Sequence, residues 1–143
     1  MSNRISKTVS RKRLAIVWFC GAGILFVILL FQSFFGFYAG RLKEAWAWFL
    51  PNFFPTLTLI VSVLVGEAGQ KNAKSQTVDS SLFWLASGLS FIYILVAALT
   101  ILLAPFSDQT PLQLMAMSTL WLGPLQGLVT AAMGAFFVAK KTD

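Results

Sequence analysis

The chain has 143 residues, of which 57% are apolar and only 11% charged, with a formal net charge of +6. Soluble domains carry roughly 25% charged residues, so this composition excludes an ordinary water-soluble globule and points to a membrane protein. The absence of histidine and the single cysteine, Cys20, exclude imidazole metal sites, histidine acid–base chemistry and any disulfide within the chain.

Four runs almost free of charge occupy residues 14–40, 45–66, 82–106 and 111–139. Each reaches the ~20 residues that carry a helix across about 30 Å of hydrocarbon. They predict an all-α membrane protein of four transmembrane helices packed as a bundle. A basic tail (1–13) precedes them and a short stub (140–143) follows, leaving no room for a soluble domain. The first run follows "RKR", but it is too long for a signal-peptide core and lacks a small-residue cleavage pattern. Lys and Arg collect on one side of the spans: Arg4, Lys7, Arg11, Lys12, Arg13, Lys71, Lys74, Lys140 and Lys141, against Arg41 and Lys43 on the other. Cytoplasmic flanks retain positive charge, so both termini are expected in the cytoplasm, with the spans in the inner (cytoplasmic) membrane. The basic excess then reads as a topology signal, with Arg11, Lys12 and Arg13 contacting lipid headgroups, rather than as a nucleic-acid site.

Within the first span, Gly21-Ala22-Gly23 reads as a packing notch. Ten of the 21 aromatic residues fall between Phe31 and Phe54, which predicts an outer interfacial belt with a short helix over 42–49 lying along it. In the second span Pro51 is expected near a helix start and Pro55 to loosen the next turn. Pro51, Pro55, Thr58, Ser62, Gly66 and Gly69 recur at spacings of three and four, making one small and polar helix face. Glu67 closes this span, either solvated and paired with Lys71 or drawing cations to a pore mouth.

The loop over 67–81 is polar, with Asp79 or Ser80 placed to cap the third span. That span carries Ser87, Ser90, Tyr93 and Thr100, residues that hydrogen-bond between helices in membrane bundles. A tight turn at Ala104-Pro105 is followed by Thr110-Pro111-Leu112-Gln113, a capping-box signature, so spans three and four should form a close antiparallel hairpin. The fourth span repeats Thr119, Gly123, Gly127, Thr130 and Gly134 on one face, with Pro124 inside it and Gln126 near mid-membrane. An amide at that depth must face protein or water.

Both stripes admit two readings. Small and hydroxyl residues let helices approach closely, or, repeated around an axis by several copies, they line a passage. Gln126 either bonds to Ser or Thr on a neighbouring helix, so that Gln126→Leu disturbs association, or forms a ring of amides around the axis, so that Gln126→Leu changes conductance while leaving assembly intact. No paired intramembrane carboxylate, activated serine, HExxH or phosphate-cradling loop is present, so no enzyme activity, cofactor or metal is expected.

The segments "LWLGPLQGLVTAAMGAFFV" and "FLPNFFPTLTLIVSVLV" resemble small multi-span proteins of bacterial genomes, some of them similar to transmembrane partners in antiphage conflict operons. That resemblance implies a small membrane effector driven by a separate sensor, and it carries over no individual functional residue. The sequence therefore predicts a self-associating protein that forms or gates a membrane-permeabilising pore. The alternatives are a non-conducting anchor holding a soluble cytoplasmic partner through the tail and the 67–81 loop, and a holin-like protein.

Overall fold

The computed structural model describes residues 4–69 and 77–138. Four helices, α1 (Lys7–Phe34), α2 (Leu42–Ala68), α3 (Ser80–Leu102) and α4 (Pro111–Val138), are joined by short connections. All four are long and apolar enough to cross a membrane. At 1.5 Å per residue the 28-residue α1 extends about 42 Å, so its ends pass beyond a ~30 Å hydrocarbon layer. The fold is the expected all-α, four-helix bundle.

Each helix buries one stripe at the helical period. On α1 the stripe is Leu14, Trp18, Ala22, Leu25 and Leu29; on α3 it is Ala86, Ser90, Tyr93, Ala97 and Ile101. The contacts order the helices as a ring, α1 beside α2, α2 beside α4, α4 beside α3 and α3 beside α1, with α3 and α4 the most closely packed pair. The seam between α2 and α4 therefore lies across the bundle from the seam between α1 and α3. Small residues set the spacing of the latter. A Cβ added at Gly21 would come within 2.9 Å of the Ile94 side chain, whereas one at Gly23 would meet nothing within 4 Å. The notch expected at Gly21-Ala22-Gly23 is thus filled at Gly21 and the buried Ala22 but open at Gly23.

The start signals of the later helices work as the sequence suggests. The Asp79 side chain accepts from the Ser81 N–H at 3.4 Å. Thr110 and Gln113 form a reciprocal capping box, with bonds of 3.0 and 3.3 Å, and a single 3₁₀ turn at Ala104–Phe106 begins the reversal into α4.

The first half of the chain departs from expectation. The basic tail is not an appendage, because α1 already begins at Lys7. It ends at Phe34 rather than near 40, where Gly36 and Gly40 take the positive φ that glycine adopts without strain. The separate interfacial helix expected over 42–49 is instead the first two turns of α2. Ahead of α1, β1 (Arg4–Ser6) pairs antiparallel with β2 (Thr77–Asp79), placing Ile5 opposite Val78. This ladder was unforeseen, since three residues are too few to show a strand's alternation. Lys71, Lys74 and the 140–143 stub lie outside the described residues.

Candidate functional site

Because α2 starts at Leu42, Pro51 and Pro55 are interior positions, and each deprives the helix of one N–H. The carbonyl that Pro55 leaves without its i+4 partner belongs to Pro51. Gln126 Nε2, reaching over from α4, donates to the Pro51 carbonyl at 3.0 Å and lies 3.4 Å from that of Asn52. The midplane amide thus repairs the proline gap of the neighbouring helix, the kind of side-chain rescue that makes proline tolerable inside a membrane helix.

Around this contact sits a buried polar core. The Tyr93 hydroxyl donates to the Asn52 carbonyl at 2.9 Å and lies 3.0 Å from its Oδ1, joining α3 to α2 through the bundle. Asn52 Nδ2 donates to the Trp48 carbonyl at 2.6 Å, and Trp48 Nε1 donates to Ser118 Oγ on α4 at 2.9 Å. Trp18, Phe53 and Tyr93 pack their rings against one another and fill the centre. Asn52, Trp48 and Ser118 were not singled out in the sequence. An amide inside an apolar run was the available signal for Asn52, but placing residues 51–54 at the membrane boundary concealed its depth.

The two stripes face outward. Pro55, Thr58, Ser62 and Gly66 on α2, and Thr119, Gly123, Gly127 and Thr130 on α4, are exposed on the surface of the chain, while Gln126 and Gly134 are half-buried. A Cβ at Gly66, Gly123, Gly127 or Gly134 would meet nothing within 4 Å, so the GxxxG of α4 packs no helix of its own chain. α2 and α4 run parallel, with Trp48 beside Ser118 and Asn52 beside Gln126. Thr58 and Thr130 therefore come to similar depth, about 9 and 6 Å beyond the Gln126 contact. Ser62 bonds back to the Thr58 carbonyl at 2.8 Å and Thr119 to that of Met115 at 3.2 Å. The Thr58 and Thr130 hydroxyls and Gln126 Oε1 find no partner among the described residues. By contrast, the outer face of α3 is a continuous apolar surface of Trp84, Phe91, Ile92, Leu95 and Leu99.

At the end where α1 starts and α2 and α4 finish, Arg11 gathers three helices. Its guanidinium pairs with Glu67 of α2, donates to the carbonyl of Phe137 on α4, and lies 5.4 Å from the centre of the Phe137 ring. Two expectations change here. Arg11 is 5% exposed and faces protein, not headgroups, while Lys12 and Arg13 remain exposed. Glu67 is half-buried in a pair with Arg11 rather than open at a mouth, and Lys71, its i+4 candidate, lies outside the described residues. The sequence could not show this because the partners lie on different helices, beyond the reach of i,i+4 spacing.

No protein-family model matches the chain, and comparison with characterised proteins and with solved structures finds no match either.

Proposed function

We propose that several copies of this protein assemble in the membrane with their α2–α4 faces toward a common axis, forming or gating a hydrophilic passage. The observation that carries the reading is the outer α2–α4 seam, where the Thr58 and Thr130 hydroxyls and Gln126 Oε1 have no partner among the described residues. Lipid tails offer such groups nothing, so water or a second copy is the fitting neighbour. A single bundle has its interior filled by Trp18, Tyr93, Phe49, Phe53 and Phe136, so a passage has to be built between copies. The open glycines beside these groups let the copies approach closely. In a conflict system of the kind the sequence resembles, this protein would be the permeabilising effector and a separate cytoplasmic sensor its trigger.

The test is ion flux from liposomes containing the purified protein, with oligomer mass measured in the same preparation. Thr58→Val combined with Thr130→Val removes both hydroxyls at nearly constant volume, and it should lower flux without changing the oligomer mass. Equal flux from the double variant would remove these residues from the passage. A well-formed protein that never conducts would favour the anchor reading.

A further inference from the structure

A groove of about 350 Å³ runs between α1 and α3, on the side of the bundle opposite the α2–α4 seam, lined by Arg13, Val17, Trp84, Gly88 and Phe91 among others. Its walls below the mouth are apolar apart from Ser87. Arg13 stands there as the last charge before the uncharged stretch that begins at Leu14, which sets the guanidinium at headgroup level and the rest of the groove in hydrocarbon. Arg13 is exposed and has no ion-pair partner among the described residues. Glu67 pairs with Arg11, and Asp79 caps the start of α3. Exposed Lys12 adds to the same positive field.

We propose that this groove seats one anionic phospholipid of the leaflet facing the N-terminus, its phosphate held by Arg13 and an acyl chain lying along Val17, Gly88 and Phe91. A cation over an apolar furrow matches the division of such a lipid into charged head and hydrocarbon tail, and the unneutralised charge selects an anionic over a zwitterionic head. Trp84, 68% exposed at the mouth, provides an indole suited to the headgroup boundary. The seat is independent of the passage proposed above, since it uses the other pair of helices.

Native mass spectrometry of the full chain, released from micelles containing either phosphatidylglycerol or phosphatidylcholine, tests the assignment. The unaltered protein should retain one phosphatidylglycerol per chain in preference to phosphatidylcholine. Arg13→Gln should lower phosphatidylglycerol retention about five-fold, the effect of one cation near an anionic surface, and lower phosphatidylcholine retention less. Gly88→Leu places a side chain in open space and should remove the adduct while helix content and elution stay as they were. Equal retention of the two lipids, retention indifferent to Arg13→Gln or Gly88→Leu, or a chain dimer that Gly88→Leu dissociates would each overturn the proposal.

Discussion

Removing one N–H from the middle of a transmembrane helix creates a carbonyl that lipid cannot satisfy, and the position of Gln126 is explained by that need. Proline at 55 and glutamine at 126 are therefore one unit divided between two helices. The bond is worth about 1 kcal/mol, so Gln126→Leu should lower stability in mixed-micelle denaturation by that amount. In a Pro55→Ala background, where residue 55 can again donate to the Pro51 carbonyl, the same substitution should cost almost nothing. An equal cost in both backgrounds would show that Gln126 has another role. The bond joins two helices, as the packing reading of Gln126 expected, but to a backbone carbonyl rather than to Ser or Thr. The sequence showed that the amide needed a partner but not which, because the partner is a backbone carbonyl exposed by a proline on another helix.

Helix existence was legible from apolar runs and caps, and the Thr110–Gln113 capping box appears with both of its bonds. Helix ends in the first half were not legible. Between Phe34 and Ala45, aromatic residues that suit a membrane belt suit a helix start equally, and hydropathy cannot divide them. At the level of helix pairs, Gly21 and Gly23 make a contrast that hydropathy also misses. Gly21→Ala drives a methyl group toward Ile94 and should destabilise the protein by about 1–3 kcal/mol, the range for overpacking a close contact. Gly23→Ala enters open space and should be neutral or stabilising by up to ~1 kcal/mol. Thermal unfolding of the two variants in one detergent checks the pair, and equal losses would contradict the close approach of α1 to α3.

At the scale of the whole molecule, the bundle has two unlike sides. α3 presents bulky apolar side chains outward, as a lipid-facing helix should, whereas α2 and α4 turn glycines, threonines and a half-buried amide outward beside exposed apolar residues such as Val65, Leu120 and Leu128. Their periodicity was readable in the sequence, but their direction was not, because a small-polar face serves equally for packing inside one chain or for meeting another. The outward direction is what favours a shared axis. The most direct measurement of that claim is thiol accessibility in intact proteoliposomes. The exposed native thiol is first removed by Cys20→Ser. Single cysteines are then introduced by Thr58→Cys or Thr130→Cys, with Ile24→Cys and Leu95→Cys, at positions 61% and 44% exposed on α1 and α3, as controls. A charged, membrane-impermeant thiol reagent should modify positions 58 and 130 and spare the controls. Positions 58 and 130 as unreactive as Ile24→Cys and Leu95→Cys would contradict a water-filled passage along this face.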